Sequence, residues 1–328
     1  MASSQTPTTK FDTYYGAPFD DDDADIILRS SSGVDFRVYK SILAKSSPFF
    51  KDMFSMPQPK PDPTTPNPTS GKDASAKSAG DEAPVVPVSE DTSTLAHLLT
   101  FCYPLEEPTL TSLESTGAVL AAAKKYEMDR AYNAAGRVFA SSALLGAHPA
   151  KAYGIACGHR LEREARVAAR ACLAASMNLE ALGEQLEHVE GRALHRLWRY
   201  HRRCADEAAA LARPQNYAWI TRRNGEVWQW ANPGGCQCGR TPCVVANGET
   251  WQAKAWWKGY MERAEGALKI VPAGKTVVAE DLLTPAFDQA AACNTCRTAA
   301  IRCMLTFSQV FEAEIERRLE QVELEMPF

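Results

Sequence analysis

No run in the 328-residue sequence approaches the roughly 18 consecutive apolar residues that a membrane-crossing helix needs. The opening MASSQTPTTKFDTYYG lacks the apolar core of a signal peptide, so the chain is expected inside the cell, cytoplasmic and/or nuclear, with no membrane partner. Neither sign of charge dominates. With 36 Lys and Arg against 40 Asp and Glu, the formal net charge is -4, and nucleic acid would have to be met by a local basic patch. Catalytic signatures are also missing: there is no Gly-x-Ser-x-Gly elbow, no His-Glu-x-x-His and no Gly-x-Gly-x-x-Gly after a strand. At residues 272–276 a phosphate loop is only superficial, because Lys269 stands where the motif needs its first glycine. The chain therefore reads as non-enzymatic. Internal repeats are absent, and ten cysteines without a secretory signal read as thiols or metal ligands rather than a disulfide framework.

What is there begins with contrast. Residues 56–90 hold eight of the twenty prolines and no aromatic residue. Such a stretch cannot bury enough apolar area to offset its ordering entropy, so it reads as a disordered Pro-rich insertion at 57–84, inside a domain rather than between two. Ahead of it, residues 24–29 and 33–38 are β-prone on either side of Ser30-Ser31-Ser32, which predicts a two-stranded start. Ile42, Leu43, Phe49, Phe50, Met53 and Phe54 then recur at helical spacing around Ser46-Ser47-Pro48, where serine can cap and proline can occupy a first turn. Beyond the insertion, Val85, Val86 and Val88 predict a brief strand. Asp91 opens a helix whose buried face is Leu95, Leu98, Leu99 and Cys102, and Ala-rich amphipathic helices follow over 113–126 and 130–144. Strands first and helices afterwards make an α+β pattern.

Asp25-Ile26-Ile27-Leu28, Asp35-Phe36-Arg37-Val38-Tyr39-Lys40, Leu43, Ser46-Ser47-Pro48-Phe49-Phe50, Met53-Phe54 and Leu98-Leu99-x-Phe101-Cys102-Tyr103-Pro104 stand in an order and spacing that resemble the BTB/POZ domain, in its basidiomycete fungal form. The resemblance covers residues 21–145 apart from the insertion, leaving residues 1–20 as a disordered tail. It implies a protein-interaction module, often a homodimer, in which Asp25 is a buried acid at a strand end and Leu43, Phe49, Met53 and Phe54 are core fold determinants. In some members it also implies a substrate adaptor of a cullin-3 ubiquitin ligase, whose hydrophobic-x-Glu motif after the second helix corresponds here to Met56-Pro57-Gln58. Met56 and Gln58 are thus the cullin-facing candidates, and Gln58 exchanges a charge-assisted hydrogen bond for a neutral one of about half the strength.

Residues 146–213 are helical in pattern. Glu162 and Arg166 stand at i, i+4, and Leu186, Val189, Ala193, Leu197, Tyr200, Cys204, Ala208 and Leu211 form an apolar row spaced by threes and fours. Their place after the BTB-like stretch resembles the BACK extension that follows many such domains. Arg192, Arg196, Arg199, Arg202 and Arg203 interleave with Trp198 and Tyr200. Arginines with aromatics can neutralise phosphates and stack bases, but without a nucleic-acid-binding signature they read as the solvated shoulder of an amphipathic helix.

Residues 214–328 hold six of the seven tryptophans and six of the ten cysteines, and read as a mostly α-helical C-terminal region with a small Cys/Trp-rich β-hairpin, ending in a long helix. Asn224-Gly225 between β-prone arms over 219–230 is the hairpin signal. Cys236-x-Cys238 follows among glycines, and Cys293-x-x-Cys296 lies far downstream. One reading makes Cys236, Cys238, Cys293 and Cys296 the ligands of a structural zinc, with Cys243 as a substitute: four thiolates close a tetrahedral site. The other places Cys293, Cys296 and Cys303 on one face of a helix opened by Thr284-Pro285, as small buried hydrophobes. His201 and Cys204, at i, i+3, are a weaker pair of candidate ligands. Trp251, Trp256, Trp257, Tyr260 and Met261 read as core or as a partner anchor.

The expected function is that of a self-associating BTB/POZ interaction protein, a scaffold or regulator. The alternatives are a cullin-3 ubiquitin ligase adaptor and a zinc-stabilised nucleic-acid-binding regulator.

Overall fold

A computed structural model of the chain describes residues 13–56, 83–141, 143–223, 225, 227–231, 236 and 238–328. The chain divides into two compact units, Met1–Ser142 and Ala143–Phe328. No helix among the described residues is long and apolar enough to cross a membrane.

The first unit is a four-stranded sheet covered by helices. Strands β1 (Thr13–Tyr14), β2 (Ile26–Arg29), β3 (Val34–Val38) and β4 (Val85–Pro87) lie in the order β1-β3-β2-β4. The β2–β3 pair is antiparallel with Ile26 opposite Val38, while β1 and β4 run parallel to their neighbours. The β2–β3 turn closes through the Ser30 N–H to the Val34 carbonyl at 2.9 Å, and Gly33 takes the φ of +82° that the turn requires. Helices α1 (Lys40–Ser46) and α2 (Pro48–Ser55) come next, followed after β4 by α3 (Thr92–Cys102), α4 (Leu113–Lys125) and α5 (Asp129–Ser141). Each start has its chemistry. Ser47 accepts the Phe50 N–H at 3.0 Å with Pro48 at the first helical position, Asp91 accepts from Thr94 at 2.7 Å, and Ser112 accepts from Ser115 at 3.1 Å. Ile26, Leu28, Phe36, Val38, Leu43, Phe50, Leu95, Leu99 and Leu120 fill the core.

Three expectations change here. The described part of the assigned tail is structured: β1 pairs with β3, and Phe19 is buried against Phe36 and Tyr103. Asp25 is exposed rather than buried, because its carboxylate accepts the Lys40 backbone N–H at 2.7 Å where α1 begins; the buried acid of this sheet is Asp35, held by Arg29 at 2.6 and 2.7 Å. Phe49 is exposed and Met53 and Phe54 are half-buried, since the phase set by the Ser47 cap turns Phe50 inward instead. Leu43 is fully buried, as expected. The Pro-rich insertion, up to residue 82, lies outside the described residues.

The second unit is mostly helical. It contains α6 (Ala143–Ala147), α7 (Pro149–Gly158), α8 (Glu162–Ala171), α9 (Leu179–Leu182) and α10 (Gly191–Leu211), then the hairpin β5 (Arg240–Val244) and β6 (Thr250–Lys254), and finally α11 (Ala255–Leu268), α12 (Glu280–Ala291) and α13 (Ala300–Leu319). Residues 146–213 and 214–328, read apart in the sequence, share one core, because α10 packs against both α11 and α13. Its centre is aromatic. Trp230 stacks on Trp257 with centroids 3.9 Å apart, and Phe307 of α13 meets Trp228, Trp230 and Trp257 edge-on.

Among the described residues the paired hairpin lies at the other Asn-Gly, and Asn224 itself is outside the described residues. Strands β5 and β6 pair from Arg240 with Lys254 to Val244 with Thr250 around Asn247-Gly248, whereas the described residues of 219–230 contribute only an isolated bridge at Arg223. Trp228 and Trp230 are drawn into the aromatic core instead. Nor does a helix open at Thr284-Pro285: α12 starts at Glu280, contains Pro285 and ends at Ala291, so Cys293 and Cys296 lie in the turns between α12 and α13.

Candidate metal centre

Two short stretches far apart in sequence meet in the second unit. Cys236 and Cys238 lead into β5, and the hairpin is anchored there by the Gly239 carbonyl, which accepts the Ala255 N–H at 2.8 Å. Cys293 and Cys296 are set by tight turns: the Cys293 carbonyl accepts the N–H groups of Cys296 and Arg297 at 3.0 Å each, and the Cys296 carbonyl accepts from Ala300 at 2.9 Å, starting α13.

All four sulfurs lie within 4.8 Å of one another. Cys236 and Cys296 are 3.6 Å apart and Cys238 and Cys296 3.8 Å, too far for disulfides, and all ten cysteines are free thiols. Zinc–sulfur bonds of about 2.3 Å put tetrahedral sulfurs about 3.8 Å apart, close to the separations of these two pairs. The Cys238 backbone N–H approaches the Cys236 sulfur at 3.4 Å, as in a metal knuckle. Cys296 is buried and the other three are half-buried.

The electrostatics fit a cation. The backbone N–H groups of Cys296 and Thr295 bring the Cys293 thiol down to about 6. Burial pushes Cys236 up, but hydrogen bonds from the Cys238 N–H and from the Cys238 and Cys296 thiols together outweigh it and leave that thiol below its ordinary value. Burial and neighbouring sulfurs push Cys238 and Cys296 upward. Four sulfurs this close cannot all carry charge unaided, and a divalent cation among them removes the repulsion and accepts four thiolates. The cluster could hold a metal.

The remaining cysteines stay outside. Cys243 points into the core from β5, opposite Trp251, and burial pushes its thiol up, so it does not serve as a substitute ligand. Cys303 is buried on α13. His201 is buried rather than solvated, with its Nε2 3.1 Å from the Ala175 carbonyl, and Cys204 beside it is fully buried, its thiol pushed up to about 11 mainly by burial; neither joins the metal cluster. Sequence reasoning missed two neighbours of the cluster, Lys254 and Trp256, which line a cavity shared with Cys296. Nothing in their spacing relative to the cysteines could have pointed to them.

The basic shoulder turns inward on the chain. Arg196 and Arg199 both pair with Glu325, Arg203 reaches the Glu323 carbonyl at 3.3 Å, and Tyr200 is buried. Three of the five arginines are therefore already engaged by the acidic final stretch. In the first unit, Met56 is 62% exposed at the end of α2, and Gln58 lies outside the described residues.

A strand pair flanked by parallel edge strands, with five helices, defines an α+β fold in the first unit. Residues 18–142 match the family model of the BTB/POZ domain, and the chain carries that domain, followed by a mostly helical region containing the cysteine cluster. No curated protein matches the chain.

Proposed function

We propose that the protein is a non-enzymatic scaffold or regulator of protein assembly, cytoplasmic and/or nuclear, whose BTB/POZ domain self-associates and whose second unit is tied by a structural zinc at Cys236, Cys238, Cys293 and Cys296. The BTB/POZ match over residues 18–142 carries the interaction reading, since such domains are generally interaction modules. Zinc is favoured over harder ions because the donors are four cysteine sulfurs within 4.8 Å of one another, and a closed all-sulfur site serves structure rather than catalysis.

The test is made on the full chain. Light scattering across a concentration series gives a dimer mass if the domain self-associates; a monomer at tens of micromolar removes that part. Elemental analysis of protein purified without added metal gives close to one zinc per chain, falling severalfold in Cys293→Ser/Cys296→Ser; a content far below one removes the zinc. Met56 is accessible for a cullin contact. A cullin retained from native cell extract and lost with Met56→Asp would shift the reading to a cullin-3 ubiquitin ligase adaptor.

A further inference from the structure

Arg222 pairs with Glu249 at 2.8 Å, whereas its neighbour Arg223 makes no ion pair with any described residue. The Arg223 guanidinium lies instead 6.0 Å from the centre of the Trp228 ring. That ring is itself held in place: the indole N–H donates to the Thr221 carbonyl at 2.8 Å, and Phe307 meets the ring edge-on. Arg302, in the first turn of α13, likewise makes no ion pair with any described residue. Both arginines are exposed, so water keeps them charged and leaves them free to meet a ligand.

These two side chains, far apart in sequence, line one cavity of about 430 Å³ together with Val227, Trp228, Gln229 and Thr298. That volume lies in the range of small-ligand sites. No acidic side chain is among its lining residues, so the cavity wall carries two positive charges in a chain whose net charge is -4. A concave wall concentrates such a field and draws anions to it. The number of guanidinium groups selects the anion. A carboxylate has two oxygens and a single charge, enough for one guanidinium fork, whereas a phosphate monoester has three terminal oxygens and about -1.5 to -2 charge at pH 7, enough for two. Gln229 and Thr298 add a neutral amide and a hydroxyl, and Val227 and Trp228 give the organic part of an ester an apolar wall.

We propose that this cavity binds a phosphate monoester, with Arg223 and Arg302 clamping the phosphate and Val227 and Trp228 lying against the group that carries it. The site uses neither the four clustered cysteines nor the BTB/POZ domain, so its test stands apart from the zinc and from self-association.

The experiment titrates the full chain with phenyl phosphate, followed by phosphorus NMR line broadening and calorimetry, and compares it with benzoate by calorimetry. Phenyl phosphate is expected to bind at least about tenfold more tightly than benzoate, which fills a single fork. Arg223→Gln and Arg302→Gln should each weaken phenyl phosphate about 10- to 100-fold, the usual effect of losing charge-assisted hydrogen bonds. Arg202→Gln removes the same charge from an exposed position on α10 and should leave binding unchanged. Melting midpoints check that each variant folds, and if one clamp variant fails to fold the other decides. No binding of phenyl phosphate at millimolar concentration overturns the site. Benzoate bound as tightly as phenyl phosphate overturns the ligand class, and an equal loss in Arg202→Gln reduces the effect to diffuse charge and overturns the cavity. A peptide with one phosphotyrosine among alanines then separates the two sources of the ester. Tighter binding than phenyl phosphate assigns the occupant to a phosphorylated side chain of a partner protein, and weaker binding assigns it to a free small ester; both support the phosphate site.

Discussion

Glu90 precedes α3, and its side chain is 9% exposed. It accepts hydrogen bonds from the Lys125 ammonium at 2.9 Å and from the Tyr126 hydroxyl, while its backbone carbonyl accepts the Ser31 N–H at 2.8 Å. Burial pushes the carboxyl up, but the Tyr126 hydroxyl and the Lys125 ammonium outweigh it and hold it below the usual range. A carboxyl lowered on folding adds stability that is fully present above its unfolded value, about 4.3, and is lost as pH falls through the lower folded value. Glu90→Gln should therefore cost about 1–2 kcal/mol at pH 7 by urea unfolding. The gap between mutant and wild type should close as the pH falls below about 4. A gap unchanged at pH 3 would place the effect in packing instead. The arrangement was not legible in the sequence, because Glu90 and the Lys125-Tyr126 pair lie 35 residues apart and only the fold brings them together. By contrast, the cysteine quartet was legible, because Cys-x-Cys and Cys-x-x-Cys each set local turns whatever lies between them.

The β5–β6 turn shows where local signals lose to tertiary ones. Two Asn-Gly pairs carry the same hairpin chemistry, and among the described residues it is Asn247-Gly248, with φ of +58° and +74°, that forms the turn between paired strands. What decided between them was burial of Trp228 and Trp230 against Trp257 and Phe307, which no short window displays. A Cβ at Gly248 would meet nothing within 4 Å, so Gly248→Ala is penalised by its backbone conformation alone, about 1 kcal/mol, while Asn247→Gly should be neutral or slightly stabilising. Thermal unfolding of both variants checks the contrast, and equal losses would contradict it. The final stretch is a second element-scale case. Arg196 and Arg199 bind Glu325, Arg166 reaches the Leu324 carbonyl at 3.4 Å, and Leu324 is buried. These pairs are partly exposed, so Glu325→Gln should cost at most about 1 kcal/mol, and the loss should fade in 1 M salt. Arginines at 3-4 spacing were visible in the sequence; that their partner would come from the same chain, 126 residues on, was not.

At the scale of the whole molecule, composition divides as the structure does. All seven tryptophans lie in Ala143–Phe328 and none in Met1–Ser142, so tryptophan emission reports on the second unit alone. The cysteine cluster joins the approach to β5 with the turns before α13, and the intervening chain contains the hairpin and the helix that supply Trp251, Trp256 and Trp257 to the aromatic core. Zinc at about a thousand times its dissociation constant would stabilise this unit by about 4 kcal/mol relative to its metal-free form. Exhaustive chelation of the full chain should therefore lower the denaturant midpoint followed by tryptophan emission by the equivalent of that amount. Amide exchange in β2, β3 and α3 of the BTB/POZ domain should stay unchanged, because the ligands all belong to the other unit. Loss of protection in both units together would mean that they unfold as one, and an unmoved tryptophan midpoint would mean that the four sulfurs support the fold without metal.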